Sequence, residues 1–203
     1  MSRTTSTQFV ALFFDIRAGP CGLNRSRAIP YQPTSSFIHI MSPHPNRILA
    51  LDPMTRGFGY VVFEEPFHLV EHGFARIEGD KHMATMAHFE RLLSEFHPAA
   101  VVLEDAEAPG SRRHYRVRKL IKALAALGEE RGVTVALLPR TAVVSRFSSG
   151  EARATKQMIA HDLVRHFPEL RLKLPKPRKI YESEHEHMSI FDALALAVTY
   201  ATK

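Results

Sequence analysis

The stretch ILALDPMTRGFGYVVF, residues 48–63, sets the topology expected for this chain. Its first four residues are apolar and predict a short buried strand that ends at Asp52. Gly57 and Gly59 favour a turn, and the apolar run that continues to Phe63 predicts the returning strand. These residues therefore predict an antiparallel hairpin whose first strand has a carboxylate at its end.

The residues after the hairpin alternate between short apolar runs and helical periods. They predict, in order, a strand over 67–77, a helix over 83–96, a strand over 99–103, a helix over 117–127, a strand over 133–138, helices over 140–147 and 152–167, a charged loop over 168–188 and a helix over 189–201. Strands joined by hairpins are antiparallel, whereas strands separated by a helix need a crossover and are parallel. The predicted fold is therefore α/β: a mixed five-stranded sheet, with three antiparallel strands and then parallel strands, flanked by helices.

Residues 1–46 differ in composition from the rest of the chain. They are rich in proline, glycine, serine and threonine and hold no long apolar period. They predict a disordered or loosely attached N-terminal extension before a domain over 47–203. Met41 lies shortly before the first predicted strand, which leaves two interpretations open. Either Met41 is the true start, or the preceding residues form a mobile basic arm.

The overall composition is that of a globular protein. Hydrophobic residues make up 45% and charged residues 24% of the 203 residues, which excludes wholesale disorder. No apolar run approaches the ~20 residues of a membrane helix, and the single cysteine, Cys21, permits no internal disulfide. We therefore expect a cytoplasmic protein with no membrane partner, and the net charge of +6 favours an anionic partner.

Three acidic residues are placed where catalytic side chains of such sheets gather. Asp52 and Glu104 each follow a predicted strand, and the carboxyl ends of parallel strands lie at one edge of a sheet. Asp192 falls early in the last predicted helix and completes a group whose mutual repulsion a divalent cation such as Mg²⁺ or Mn²⁺ would neutralise. Structural alternatives stay open: Asp52 precedes Pro53 and suits a turn, and Ser189 with Asp192 forms a capping box.

Basic residues cluster directly after Glu104. The cluster consists of Arg112, Arg113, Arg116, Arg118, Lys119 and Lys122, and Tyr115 lies among them. Such a cluster suits contacts to DNA phosphates, and the tyrosine suits stacking on an unpaired base. A second basic run contains Arg171, Lys173, Lys176, Arg178 and Lys179. The alternative for the cluster is an ordinary solvated helix face, and for the second run a solvated linker.

Four segments resemble those of a known nuclease family. The stretch ILALDPMTRGFGYVVFE resembles the opening hairpin of the RuvC-type Holliday junction resolvases, in the RNase H-like superfamily. AAVVLED at 99–105, TAVVSRFSSGEARATKQMIAHDL at 141–163 and FDALALAVTY at 191–200 resemble, in the same order, the family's fourth strand, its basic helix start and its closing helix. The resemblance spans residues 48–200.

The resemblance implies an RNase H-like fold and a metal-dependent endonuclease that hydrolyses phosphodiester bonds in branched DNA. It implies that Asp52, Glu104 and Asp192 bind two Mg²⁺ ions, with Mn²⁺ as a substitute, and that Lys156 lies near the scissile phosphate. It also implies a homodimer. The expected location is the cytoplasm, with the protein associated with the nucleoid as in prokaryotes and phages.

The chain departs from the family pattern at two places. The position of the fourth metal ligand, one helical turn before Asp192, holds Ser189, so Glu186 and His187 from the segment ESEHEH are expected to take that role. The place of the family's wedge aromatic holds 106–108, Ala-Glu-Ala, which weakens the expectation of four-way-junction specificity more than that of nuclease activity. A catalytically silent nucleic-acid-binding module on the same fold is the alternative function.

Overall fold

The computed structural model describes residues 44–65, 68–148, 153–179 and 181–202. The elements are β1 (His44–Met54), β2 (Gly57–Glu64), β3 (His68–Arg76), α1 (Lys81–Phe96), β4 (Pro98–Glu104), α2 (Tyr115–Glu130), β5 (Thr134–Leu138), α3 (Arg140–Phe147), α4 (Lys156–His166) and α5 (Met188–Ala201). A 3-10 helix, Pro168–Lys173, lies between α4 and α5. Apart from 44–46, which begin β1, the extension expected over 1–46, with Cys21 and Met41, lies outside the described residues, and its boundary stays a prediction.

The five strands form one mixed sheet in the order β3-β2-β1-β4-β5. β2 pairs antiparallel with both β1 and β3, whereas β4 pairs parallel with both β1 and β5. The predicted fold class is confirmed, because the hairpin-linked strands are antiparallel and the helix-linked strands are parallel.

Both faces of the sheet are covered by helices. Along β1, Ile48 and Ala50 belong to a core that includes buried residues of α3, α4 and α5. Leu49 and Leu51 belong to a second core with buried residues of α1 and α2. Because successive strand residues point to opposite faces, the continuous apolar run of β1 serves both cores.

The first hairpin differs in detail from the sequence prediction. β1 runs to Met54, so Asp52 lies inside the strand instead of ending it, directly opposite Gly59 of β2. Gly59 is likewise a strand residue and not a turn residue. A Cβ at Gly59 would lie 2.3 Å from the carbonyl carbon of Ser189 in α5. The missing side chain therefore lets α5 pack against the hairpin beside Asp52.

The start of α5 also differs from the capping-box interpretation. The helix begins at Met188 with His187 as its N-cap, and His187 makes no side-chain capping bond. Ser189 is 1% exposed and donates its hydroxyl to the carbonyl of Glu186 at 2.7 Å. Because Ser189 is inside the helix, it does not cap it, and Asp192 has no capping role that would explain it.

Candidate active site

The three acidic residues singled out in the sequence converge at one edge of the sheet. Asp52 of β1, Glu104 at the end of β4 and Asp192 of α5 are 2%, 5% and 3% exposed. Glu104 and Asp192 are both close enough to raise the pKa of Asp52 through charge repulsion. The parallel pairing of β1 with β4 and the packing of α5 against β1 bring these carboxylates together.

A cleft of about 980 Å³ opens above this edge. Its walls come from the β1–β2 turn, the segment that follows β4, the start of α3 and the residues before α4 and α5. Its basic lining residues are Arg56, Arg112, Arg113, Arg140, Arg153 and Lys156. A cleft with this lining attracts anionic groups toward buried carboxylates.

Arg113 binds two of the three carboxylates. Its Nε donates to Glu104 Oε1 at 3.1 Å, and its Nη2 donates to Glu104 Oε2 at 2.5 Å and also to Asp52 Oδ1. Its Nη1 donates to the carbonyl of Pro53 at 3.2 Å, and the side chain is only 17% exposed. The sequence analysis places Arg113 in the DNA-binding cluster, and in the structure its guanidinium lies inside the acidic site.

Asp192 is bound by two other cations. Arg140 Nη1 donates to Oδ1 at 2.8 Å and Lys156 Nζ donates to Oδ2 at 2.7 Å. Lys156 also donates to Glu184 at 2.6 Å. The structure thus places Lys156 beside the predicted acid and adds Arg140 and Glu184, which the sequence analysis did not choose. Arg140 follows β5 by two residues, so its place at the carboxyl end of a parallel strand was the available signal.

The carboxylates differ in their protonation behaviour. Burial raises the pKa of Asp52 to about 6, although Arg113 opposes the shift. Burial also acts to raise the pKa of Asp192, but Lys156 and Arg140 outweigh it and hold that pKa below its usual value. Burial lowers the pKa of Lys156, yet the charges of Asp192, Asp52 and Glu184 raise it overall, so the amine stays protonated.

The two residues expected to supply a fourth ligand lie in different settings. Glu186 lines the cleft and pairs with Arg76 at 2.7 Å and Arg56 at 3.8 Å. His187 packs its ring edge-on against His185, with the ring centroids 4.8 Å apart, and it is not among the residues that line the cleft. The role of Glu186 and His187 as a fourth ligand stays a prediction.

The donor chemistry fits a hard divalent cation at one place. Within the described ranges, no three His, Cys, Asp or Glu side chains form a ready-made metal-binding group. Asp52 and Glu104, however, each direct a carboxylate oxygen at the same cationic nitrogen of Arg113. Two buried carboxylate oxygens that share one positive charge are the donor set that Mg²⁺ and Mn²⁺ prefer.

The remaining predicted DNA-binding residues lie at the start of α2 and just before it. Arg112, Arg116 and Lys119 are exposed, and Tyr115 is 64% exposed with Lys119 Nζ 5.5 Å from its ring centroid. Arg118 and Lys122 bind Glu107 at 3.0 Å and 3.3 Å, so part of the predicted cluster is already paired. In the second basic run, Arg171 and Lys173 lie on the exposed part of the 3-10 helix.

Comparison with solved structures identifies the fold. RuvC of Thermus thermophilus in complex with a Holliday junction substrate matches with a TM-score of 0.56 and 20% identity, over 77% of this chain and 92% of that one. A second structure of Thermus thermophilus RuvC gives 0.55 and 18%, over 76% and 93%. The yeast mitochondrial Holliday junction resolvase gives 0.52 and 12%, over 79% of both chains.

The chain has the RuvC-type resolvase fold. The resemblance inferred from the four sequence segments is confirmed at the level of the fold. No family model and no curated protein sequence matches the chain. In the part of the chain that the structure describes, no helix combines the length and apolarity needed to cross a bilayer.

Proposed function

We propose that this RuvC-type chain is a metal-dependent endonuclease that hydrolyses phosphodiester bonds in branched DNA. One observation carries the proposal: three buried carboxylates from β1, β4 and α5 meet beneath a cleft whose lining is rich in arginine and lysine. Buried carboxylates are costly to collect unless cations neutralise them, and a basic cleft suits the phosphate backbone of DNA.

Two observations support the proposal of a branched substrate. The Thermus thermophilus RuvC structure was solved with a Holliday junction substrate. In this chain, exposed Arg112 lines the cleft, and Arg116, Lys119 and Tyr115 lie on the adjoining surface of α2. These residues would bind backbone phosphates and stack on a base left unpaired at a branch point.

The carboxylates of Asp52, Glu104 and Asp192 would hold the metal, Mg²⁺ or Mn²⁺. When bound, divalent cations there would activate a water molecule and stabilise the leaving 3′ oxygen, leaving a 5′-phosphate. Arg140 and Lys156 hold Asp192 in place through 2.8 Å and 2.7 Å bonds. The protonated amine of Lys156 would stabilise negative charge on the scissile phosphate.

The proposal includes a homodimer in the cytoplasm. Cutting two strands of a symmetric junction requires two sites, and a two-fold symmetric pair of chains supplies them.

A catalytically silent DNA-binding module is the second candidate, and one observation favours it. Each carboxylate already has a basic partner, namely Arg113 for Asp52 and Glu104, and Arg140 with Lys156 for Asp192. Carboxylates paired in this way need no metal to offset their charge, so a module of this kind would bind DNA without any need for divalent ions.

The deciding experiment is a cleavage assay with a matched pair of variants. Labelled four-way junctions, forks, flaps and plain duplex are incubated with the protein in Mg²⁺, Mn²⁺ or EDTA. Asp52→Asn tests the site, and Asp162→Asn makes the same change on α4, outside the cleft.

Metal-dependent cutting that Asp52→Asn abolishes and Asp162→Asn retains supports the nuclease, and the substrate cut fastest identifies its preferred DNA. Junction binding without cutting in either metal supports the silent module. Cutting at the wild-type rate by Asp52→Asn refutes the assigned site.

A further inference from the structure

Arg113 occupies an unusual position for a basic residue near a DNA-binding cleft. One nitrogen atom, Nη2, donates to Asp52 and, at 2.5 Å, to Glu104, and both carboxylates are almost fully buried. The guanidinium thus lies between two of the three carboxylates that the proposed function assigns to a divalent cation.

The carboxylates around this position already have basic partners without any added ion. The carboxylates of Asp52, Glu104 and Asp192 lie against the cations of Arg113, Arg140 and Lys156. A divalent cation placed beside Arg113 in this poorly solvated spot would meet a fixed like charge, and Coulomb repulsion is strong where water is scarce. The guanidinium and the cation therefore compete for the same two carboxylates.

The segment that carries Arg113 is free of helix and strand. It connects Glu104 to Tyr115, lines one wall of the cleft and contains Gly110 with φ +83, a backbone angle that favours glycine. Arg113 reaches the carboxylates from this wall, so its own backbone belongs to neither β1 nor β4. A guanidinium released into this basic cleft would be able to bind a DNA phosphate with two parallel hydrogen bonds.

We propose that Arg113 is a displaceable counter-ion, which neutralises Asp52 and Glu104 in the metal-free protein and binds the phosphodiester once a divalent cation takes its place. This inference rests on the proposed nuclease function. The counter-ion role makes metal binding weak in the absence of DNA. It also couples the binding of metal and DNA, because the metal releases the guanidinium that the DNA phosphate then binds. By reciprocity, DNA raises the affinity for the metal by the factor by which the metal raises the affinity for DNA.

The test measures Mn²⁺ affinity of the full chain without DNA, by the electron paramagnetic resonance signal of free Mn²⁺. Arg113→Gln removes the competing charge, and we expect it to tighten Mn²⁺ binding by about tenfold, within the range typical of coupled sites. Arg112→Gln is the matched control, because it removes the same charge from an exposed position in the same cleft. The control is expected to change the affinity by less than about threefold, since exposed charges are screened.

A thermal melt keeps the test decisive if Arg113→Gln folds poorly. Without its counter-ion, the variant should melt at a lower temperature than the wild type in EDTA, and Mn²⁺ should restore more of the loss than it adds to the wild type. An affinity equal to or weaker than that of the wild type, or a destabilised variant that Mn²⁺ does not rescue, overturns the proposal.

Neither readout depends on cleavage. If Mn²⁺ rescues Arg113→Gln but the wild type cuts no substrate, the counter-ion role stands and the nuclease proposal fails. If the wild type cuts junctions but Arg113→Gln gains no affinity for Mn²⁺, the nuclease proposal stands and the counter-ion role fails.

Discussion

Replacing Gly59 by alanine puts a methyl group where β2 meets the backbone of α5. The new Cβ would lie 2.3 Å from the carbonyl carbon of Ser189 and 2.5 Å from its carbonyl oxygen and hydroxyl oxygen. Ordinary contacts begin near 3.4 Å, so the start of α5 must retreat by about 1 Å. Overpacking of this kind costs about 1–3 kcal/mol of unfolding free energy.

The same displacement reaches the candidate site. Asp192 lies one helical turn after Ser189, so it moves with the start of α5 relative to Asp52 in β1. A misplacement of 1 Å in a catalytic constellation costs about a hundredfold in rate. We expect Gly59→Ala to lower the unfolding free energy in urea by about 1–3 kcal/mol. It should also reduce the cleavage rate far more than the folded fraction explains.

Gly73→Ala is the matched control for this prediction. Gly73 is also a strand glycine, but the three atoms nearest to an added Cβ all belong to the ring and hydroxyl of Tyr60, at 2.8–2.9 Å. The end of a side chain yields more easily than the backbone of a helix, so the change should stay within about 1 kcal/mol and leave cleavage intact. Equal stability and equal rates for Gly59→Ala and the wild type would refute the packing argument.

Three further predictions concern charges. Arg118→Ala with Lys119→Ala should weaken DNA binding and reduce the slope of log affinity against log salt by about 1 per lost phosphate contact. An unchanged slope in a binding titration would show that these two residues do not contact DNA phosphates. Burial raises the pKa of Asp52 to about 6, so the folded protein holds this proton more tightly than the unfolded chain does. In EDTA, the bound proton therefore stabilises the fold fully below about pH 4, and this stabilisation is lost as the pH rises through 6. The unfolding free energy of Asp52→Asn in urea should therefore rise relative to that of the wild type between pH 4 and 7. A difference in unfolding free energy that stays constant over this range contradicts the prediction. Arg140→Ala leaves Asp192 with one cation fewer and should cost about 1.5–3 kcal/mol in urea, against under 1 kcal/mol for Arg118→Ala, whose side chain is 42% exposed. Equal losses would show that the Arg140 pair adds nothing.

The fold was predictable because its signals are local. Short apolar runs and helical periods fix the order of elements, and the rule that hairpins are antiparallel and crossovers parallel turns that order into a sheet. The places of the three acidic residues followed from the same reasoning. Asp52 and Glu104 lie at or near the ends of two neighbouring parallel strands, and Asp192 lies on a helix that packs back against them.

The partners of those carboxylates were not predictable from spacing. Arg113 and Arg116 belong to one basic cluster in the sequence, yet one lies against Asp52 and Glu104 while the other is exposed. Which arginine turns inward depends on the path of the segment after β4, and charge patterning does not encode that path.

The misassigned details share a cause in tertiary packing. Glycine is common in turns, but Gly59 lies in a strand, where α5 passes too close to leave room for a side chain. Ser189 and Asp192 have capping-box spacing, but the helix begins before both, and Ser189 is buried against β2. In each case a contact between distant segments overrides a local pattern.

Helix α5 has a consequence for how the protein matures in the cell. Every residue from Met188 to Thr199 is buried, so this helix supplies much of one core as well as Asp192. The ribosome releases the sheet strands before it releases this helix, and the growing chain emerges at about 5–20 residues per second. A nascent chain that lacks α5 therefore has neither a finished core nor a complete acidic cluster. If the chain is a nuclease, its cutting activity begins only after translation has passed α5, which shields nearby DNA from unfinished copies.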